Sequence, residues 1–250
     1  PSEEQLAKIR HHFIGHISVS GHYNISKCEH DVLILLEKLF QKHDVVVMCG
    51  GSGLYIDAVC NGLDEQPEHD PEIRRKLQEH YKSEGIGYLQ QELLRLDPEY
   101  YQQVDLANPH RLMRALEVCM VSGNTYSSMR KKSKKQRLFK LLKLGIDISR
   151  DELIRRINIR TDEMIASGLV DEVRSCREFR HLNALNTVGY KEIFDFLDGK
   201  CSLDEAVEKI KINTRRYAKR QMTWFRKEPE IKWIKPECLT EVIINQALNG

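Results

Sequence analysis

The sequence predicts an α/β fold, and two adjoining features carry this prediction. Residues Asp44–Cys49 (DVVVMC) form a short, uninterrupted β-branched run, which is typical of a strand buried on both faces. This run leads directly into Gly50–Gly53 (GGSG) and then into a helix-forming stretch, LYIDAV. Strand, glycine turn and helix in this order are typical of an α/β sheet, whose functional loops follow the carboxyl ends of its strands.

A helical segment is expected to interrupt this core, because no stretch between Pro71 and Lys135 has the pattern of a strand. Asn108 and Pro109 predict an N-cap followed by proline at the first helical position. That helix is expected to end at Gly123. We therefore expect a first part of the core, an all-helical insertion and a second part of the core, at residues 1–71, 72–135 and 136–250.

The remaining elements follow from local signals. His30–Phe40 (HDVLILLEKLF) predicts a helix. Leu138–Ile148 and Ile231–Ile234 are the next strand candidates. Ser149 with Glu152, and Ser202 with Glu205, each form the pattern of a capping box and predict two further helices.

Composition excludes several classes of protein. None of the 250 residues lies in an apolar run near the roughly 20 residues that cross a bilayer, so we expect no membrane span. The seven cysteines are odd in number and contain no CxxC pair, which argues against a disulfide framework or a zinc finger. The opening residues do not resemble a signal peptide. We expect a cytoplasmic protein.

Positive charge is concentrated although the net charge is only +2. Arg130–Lys143 and Lys211–Lys227 contain no acidic residue. On a helix from Ser202, six cations form two adjacent stripes: Arg215, Lys219 and Arg226, then Arg216, Arg220 and Lys227. A phosphate backbone would neutralise such a row, and the alternative is a solvated basic face. The opposite, apolar side holds Val207, Ile210, Tyr217 and Trp224, so we expect Trp224 to be buried.

For other candidate residues, a purely structural role is the alternative to a role in ligand binding. Glycines in the GGSG turn suit a ligand contact, but a tight turn needs glycine in any case. Arg111 and Arg114 share one helix face, either as ligand contacts or as a solvated face, while Leu112, Leu116 and Cys119 are expected to pack inward. The adjacent His11 and His12 point apart, so we predict no protein metal site.

Six collinear motifs together resemble one family. They are GGSGLYIDAVCNGL, DPEIRRKL, NPHRLMRALEV, RINIRTDEMIASGLVDEV, TVGYKEI and TRRYAKRQMTWFR. In this order and spacing they resemble the bacterial type of the tRNA dimethylallyltransferase (tRNA isopentenyltransferase) family, from about Pro1 to Trp233.

The resemblance implies a nucleoside-kinase-like P-loop fold with a helical insertion. It also implies transfer of a dimethylallyl group from dimethylallyl diphosphate to the N6 amine of adenine at position 37, beside the tRNA anticodon, with help from Mg²⁺. The expected partners are therefore the tRNA anticodon stem-loop and dimethylallyl diphosphate. We expect a monomer.

The resemblance also implies roles for single residues. Ser52 stands where the family usually has threonine facing the reaction channel, and Arg74 and Arg160 match arginines that bind diphosphate. These three are the predicted catalytic residues. Predicted tRNA contacts lie in three segments: His110, Arg111, Leu112, Met113 and Arg114; Asn186, Thr187, Val188, Gly189, Tyr190 and Lys191; and Lys219, Arg220, Gln221, Met222, Thr223, Trp224, Phe225 and Arg226.

Family members begin with a strand, a phosphate-binding P-loop and an aspartate that resembles a general base. Pro1 and Ser2 resemble the end of a later stretch, so we expect this chain to lack those parts and to be inactive alone. The alternative function is a non-catalytic tRNA-binding protein that has lost the P-loop.

Overall fold

The computed structural model describes residues 3–21, 23–64, 66–131 and 134–249. They belong to two compact units: the first comprises Pro1–Val59 and Phe139–Gly250, and the second comprises Cys60–Leu138. The first unit contains a small parallel sheet among helices, and the described part of the second is helical without a strand. The α/β class with an all-helical insertion is therefore confirmed. The segment 72–135 that the sequence marks as the insertion lies inside the second unit.

Among the described residues, helices dominate. In chain order they are α1 (Glu3–Lys8), α2 (Ile25–Phe40), α3 (Gly53–Asn61), α4 (Pro71–Glu84), α5 (Ile86–Leu96), α6 (Pro98–Gln103), α7 (Pro109–Ser122), α8 (Tyr126–Met129), α9 (Arg150–Ala166), α10 (Leu169–Ser175), α11 (Tyr190–Leu197), α12 (Leu203–Phe225) and α13 (Leu239–Asn249). The strands are β1 (Leu144–Ile146) and β2 (Lys232–Ile234). Over the described residues, none of these helices has the length and apolar character that spanning a bilayer requires.

Helix ends follow the capping signals of the sequence. Asn108 accepts a hydrogen bond from the Arg111 N–H at the start of α7, and Gly123 ends that helix in the left-handed conformation. Ser202 and Glu205 form the predicted capping box of α12. Ser149 caps α9 by accepting a hydrogen bond from the Glu152 N–H, but the Glu152 carboxylate accepts from Arg155 and Arg156, so the predicted capping box is only half formed. The N-caps themselves are confirmed, because each is satisfied by a residue three positions away.

The sheet of the first unit consists of β1 and β2, which pair in parallel. Leu144 is in register with Lys232, and Ile146 with Ile234. The strand expected at Ile231–Ile234 is confirmed. The candidate Leu138–Ile148 is confirmed only in three residues of its second half, Leu144–Ile146.

The prediction of a strand at Asp44–Cys49 is wrong in this structure. The segment has no regular secondary structure. Instead of being buried on both faces, Val47 is 60% exposed and Val45 and Met48 are also exposed. A β-branched run becomes a strand only when a neighbour supplies hydrogen bonds, and the described strands β1 and β2 pair with each other.

Each unit has its own hydrophobic core. In the first, α10, α11 and the first half of α12 bury Leu169, Val173, Leu185, Ile193, Phe194, Ala206 and Ile210. In the second, α4, α5, α6 and α7 bury Leu77, Leu89, Leu93, Tyr100, Leu112, Met113, Ala115 and Leu116. The inward packing predicted for Leu112, Leu116 and Cys119 is therefore confirmed. Burial of each such side chain contributes about 1.5–3 kcal/mol.

Candidate functional site

The glycine loop, Gly50–Gly53, lies against the second half of α12 within the first unit. The side-chain amide of Gln221 donates a hydrogen bond of 2.8 Å to the carbonyl oxygen of Gly51. The hydroxyl groups of Ser52 and Tyr217 are 3.5 Å apart. Two residues of α12, one helical turn apart and therefore on the same side of the helix, hold the loop.

The same loop begins α3. The carbonyl oxygen of Ser52 accepts hydrogen bonds from the N–H groups of Tyr55 and Ile56, at 3.0 and 3.1 Å. The side chain of Ser52 is exposed. Burial raises the pKa of Tyr55, so its phenol stays protonated at neutral pH. Ser52 thus presents a hydroxyl group at the start of a helix, where the backbone dipoles favour negative charge.

Two glycines of the loop, Gly51 and Gly53, lie close against side chains of α12. A Cβ atom on Gly53 would stand 2.4 Å from Cδ1 of Trp224, inside the indole ring's contact distance. A Cβ atom on Gly51 would stand 2.0 Å from Nε2 of Gln221, the mobile end of a flexible side chain. Glycine is needed at Gly53 because the tryptophan ring occupies the space of a side chain. The geometry of a tight turn alone would not explain why a side chain is excluded at Gly53.

We expect Gly53→Ala to lower the free energy of unfolding by about 1–3 kcal/mol, because the added methyl group overlaps the Trp224 ring. In an open helical position the same change is stabilising by about 0.5–1 kcal/mol. Gly87 in α5 is such a position, since an added Cβ there meets no atom within 4 Å. Urea unfolding of the full-length Gly53→Ala and Gly87→Ala variants should therefore give shifts of opposite sign. Equal shifts would contradict the packing described here.

The expectation that Trp224 is buried is wrong. Trp224 is 45% exposed and Tyr217 is 40% exposed, whereas Ile210 on the same side of α12 is buried. The first half of α12 lies on the core of its unit, while the second half lies over the small residues of the glycine loop. Glycines cover less of a ring than core side chains do, so both aromatic rings keep an open face.

The basic row consists of the cations at the end of α12 and just beyond it: Arg215, Arg216, Lys219, Arg220, Arg226 and Lys227. Within the described part of the chain, none of the six pairs with a carboxylate. Their contacts are with neutral groups. Arg216 donates to the side-chain oxygen of Asn213, and the guanidinium of Arg220 lies 5.5 Å from the centre of the Tyr217 ring. An uncompensated row of this kind favours a polyanion as ligand.

Lys211, which precedes the basic row, is neutralised. Its ammonium group is 2.8 Å from a carboxylate oxygen of Asp162 in α9 and 3.3 Å from one of Glu208. The hydrogen bond to Asp162 raises the pKa of Lys211, which therefore stays charged. This ion pair joins α9 to α12.

Arg160 lies on α9, which packs against α12. Its side chain is exposed, and among the described residues it has no carboxylate partner. The situation differs about one turn earlier, where Arg155 and Arg156 both donate to Glu152 at 2.7 Å. The hydrogen bond from Arg155 has the largest effect on the pKa of Glu152, and together with the one from Arg156 it lowers that pKa to about 2. Unlike Arg155 and Arg156, Arg160 thus has a charge that is available to a ligand.

The loop before α11 is held by a buried glutamate. One carboxylate oxygen of Glu192 accepts from the Gly189 N–H at 2.8 Å, and the other accepts from the Asn213 side-chain amide at 2.7 Å. Glu192 is 5% exposed, and Gly189 has a φ of +101°, a conformation that favours glycine. Glu192 therefore ties this loop to α12.

The six predicted contacts in this loop differ in exposure. Asn186, Thr187 and Lys191 are exposed, Val188 and Tyr190 are half-buried, and Gly189 is buried. Burial raises the pKa of Tyr190, and its hydrogen bond to Glu172 raises it further, so the hydroxyl keeps its proton and donates to that carboxylate. Contacts from this loop are therefore expected from its exposed members.

In the second unit, α7 carries the predicted contacts His110 to Arg114. His110 and Arg111 are exposed and Arg114 is half-buried. The side chains of Leu112 and Met113 are 0% and 4% exposed, within the core of this unit. A helix that presents one face to a ligand buries the other, so contacts from α7 are expected from its more exposed members, and a tRNA contact of Leu112 or Met113 stays a prediction.

Arg74 of α4 is beside a buried acid in the same unit. One of its guanidinium nitrogens lies 4.0 Å from a carboxylate oxygen of Glu117, and its side chain is 22% exposed. Sequence reasoning overlooked Glu117, as well as Glu192, because a glutamate in a helix is most often exposed. Glu117 follows Arg114 by three residues, a spacing that allows an ion pair on a helix. The sequence alone does not show whether that pair forms or whether the glutamate is buried.

Mg²⁺ prefers carboxylate and phosphate oxygens. Over the described residues, no group of three His, Cys, Asp or Glu side chains is placed to hold a metal ion. The described residues therefore do not supply a ligand group of their own for Mg²⁺.

A family model described as IPP transferase matches residues 1–228 of the chain. The chain belongs to the IPP transferase family. It is 52% identical over 235 residues to the tRNA dimethylallyltransferase of Christiangramia forsetii, covering 94% of the chain and 78% of that protein. It is 46% identical to the tRNA dimethylallyltransferase 1 of Bacteroides thetaiotaomicron, covering 97% of the chain and 79% of that protein.

Solved structures agree with this membership. The tRNA isopentenylpyrophosphate transferase of Bacillus halodurans is similar with a TM-score of 0.67 and 28% identity, over 99% of the chain and 81% of that structure. A eukaryotic dimethylallyltransferase acting on tRNA has a TM-score of 0.77 at 21% identity, over 94% of the chain and 62% of that structure. The second likeness supports the fold alone.

Proposed function

We propose that the protein transfers a dimethylallyl group from dimethylallyl diphosphate to tRNA, at the N6 amine of adenine 37 beside the anticodon. The observation that carries this proposal is the basic row of α12, whose unpaired cations lie on the same stretch of helix as Tyr217 and Gln221, the two residues that hold the glycine loop. A phosphate-binding surface next to an exposed hydroxyl and a helix start suits a protein that brings RNA to a small anionic substrate.

The reaction makes two demands on the protein. The amine nitrogen forms a bond to C1 of the dimethylallyl group while the bond from that carbon to the diphosphate oxygen breaks, and the amine loses a proton to a general base. Negative charge grows on the departing diphosphate, so cations aimed at it accelerate the step. The adenine must also leave its stack to reach the donor.

Each predicted catalytic residue suits one of these demands. In the first unit, Arg160 supplies an unpaired guanidinium for phosphate oxygens, and Ser52 supplies a hydroxyl donor. In the second unit, Arg74 is proposed as a diphosphate ligand on its match to the family motif. Arginine suits this role because its planar fork binds two phosphate oxygens at once.

Proposed tRNA contacts lie on three exposed surfaces. They are His110, Arg111 and Arg114 of α7; Asn186, Thr187 and Lys191 with the half-buried Val188 and Tyr190; and the end of α12 with Lys219, Arg220, Gln221, Met222, Thr223, Trp224, Phe225 and Arg226. Gly189 contributes through its backbone. The partly open rings of Trp224 and Tyr217 are suited to stacking on an unpaired base, which contributes about 1–3 kcal/mol.

We further propose that the protein acts as a monomer in the cytoplasm on the anticodon stem-loop. Mg²⁺ would arrive with the diphosphate, whose oxygens it binds. The alternative of a non-catalytic tRNA-binding protein is not favoured, because the relatives described above are named as transferases.

The test is a transfer assay with the full-length protein, dimethylallyl diphosphate, Mg²⁺ and unmodified tRNA, followed by mass spectrometry of the anticodon-loop fragment. We expect the gain of one dimethylallyl group, and no gain when adenine 37 is replaced by guanine. Salt-sensitive tRNA binding without any gain would support the non-catalytic alternative instead. Absence of both would contradict the proposal.

A further inference from the structure

Four groups converge on one buried carboxylate in the second unit. Glu117 of α7 is 1% exposed. Its Oε1 is hydrogen-bonded by the His69 ring and, at 3.2 Å, by the N–H of Asp70. Its Oε2 lies 3.3 Å from Arg114 and 4.0 Å from Arg74. A single acid thus organises the segment before α4, α4 itself and α7.

Two guanidinium groups face the one buried carboxylate of Glu117. A buried ion pair is weak evidence for stability, because removing both charges from water costs as much as their attraction returns. Two arginines around one buried acid instead indicate that the acid sets the orientation of groups whose remaining donors serve a ligand.

Arg114 and Arg74 differ in how many N–H donors remain available for a ligand. Arg114 donates to the side-chain oxygen of Gln66 and to the carbonyl of Pro67, at 3.2 and 3.3 Å, in addition to Glu117. These contacts engage both terminal nitrogens of its guanidinium, so Arg114 has fewer N–H donors left for a ligand than Arg74 has. Arg74 makes the longer contact with Glu117 and has five N–H donors, so most of them are directed elsewhere.

We propose that Glu117 is a positioning residue: it holds the guanidinium of Arg74 so that the remaining donors of that arginine bind a phosphate oxygen of dimethylallyl diphosphate. This inference rests on the proposed function, in which Arg74 is a diphosphate ligand. Glu117 itself is buried and touches no substrate. Its carboxylate fixes the direction of Arg74, with Arg114 and His69 closing the other sides of the acid.

The experiment is a double-mutant cycle in the full-length protein, with Arg74→Ala, Glu117→Gln and the double variant. The KM for dimethylallyl diphosphate and kcat are measured well below the unfolding temperature of each variant. We expect Glu117→Gln to raise this KM by about tenfold, and Arg74→Ala to have an effect at least about tenfold smaller in the Glu117→Gln background than in the parent protein. Purely additive effects would overturn the inference, because a structural glutamate leaves the contribution of Arg74 unchanged.

Asp97 provides a matched control. It is also a fully buried acid of the second unit, but it accepts hydrogen bonds from the Tyr100 N–H and from Ser127, and among the described residues it forms no ion pair with an arginine. Asp97→Asn is expected to lower the unfolding temperature and leave the effect of Arg74→Ala unchanged. A coupling of Asp97 to Arg74 as strong as that of Glu117 would contradict the assignment.

Two further outcomes separate this inference from the proposed function. If Arg74→Ala alone leaves dimethylallyl diphosphate kinetics unchanged, the role of Arg74 fails, and the inference fails with it. If Arg74→Ala impairs them but the cycle is additive, only the role of Glu117 fails. Should Glu117→Gln not fold, the same cycle is run with Glu117→Asp, which keeps the charge one methylene farther from Arg74; additivity there overturns the inference equally.

Discussion

Replacing Arg160 with glutamine is expected to lower the rate of dimethylallyl transfer by about 100- to 1000-fold, the usual effect of losing one group that stabilises charge in a transition state. The reason is the position of Arg160: it is exposed on α9 and has no carboxylate partner among the described residues. Its charge is therefore free to act on a leaving diphosphate. Single-turnover transfer measured at saturating tRNA separates this effect from RNA binding.

Arg156 is the control for Arg160. It lies one turn earlier on the same helix face, but its guanidinium donates to Glu152 at 2.7 Å. Arg156→Gln removes the same charge and is expected to change the rate by no more than about twofold, since an exposed ion pair contributes little. Similar losses for Arg156→Gln and Arg160→Gln would show that net charge, and not the unpaired guanidinium, supports catalysis.

Neutralising three members of the basic row is expected to weaken tRNA binding by about 100-fold at low salt. The variant is Lys219→Gln, Arg220→Gln and Arg226→Gln together. Each lost phosphate contact removes about 0.7–0.9 from the slope of log affinity against log salt concentration, so the slope should become about 2–3 units less steep. Filter binding of tRNA across a salt series measures both quantities.

A second triple variant with the same change in net charge tests whether position matters. It replaces three exposed arginines that pair with neighbouring acids, namely Arg75 with Glu72 and Glu79, Arg95 with Glu92, and Arg174 with Asp171. Their charges are already compensated, so tRNA affinity and salt slope should stay close to those of the parent protein. A loss as large as in the basic-row variant would mean that tRNA responds to overall charge, and the proposed interface would be wrong.

Local signals in the sequence were sufficient for the helix ends and for the basic row. The caps at Asn108, Ser149 and Ser202 form as predicted, because donor and acceptor are three residues apart. The cations of α12 lie on one helix by virtue of its period, whatever surrounds it. The six collinear motifs likewise belong to the sequence, and with them the family.

Long-range contacts decided the rest. The β-branched run at Asp44–Cys49 is not a strand here, since a strand exists only with a partner. Trp224 was expected in a core and instead leaves one face open over glycines. In both cases the neighbour that determines strand pairing or burial comes from a distant part of the chain, which the local pattern does not specify.

The sequence by itself determined the family, the helical insertion and the charge of the α12 surface, because these depend on residue types and short spacings. Only the tertiary structure revealed that Gly53 makes room for Trp224, that Glu192 ties its loop to α12, and that Glu117 gathers two arginines. These are contacts between side chains brought together by folding. Their energies depend on distance and burial, which residue types and spacing do not encode.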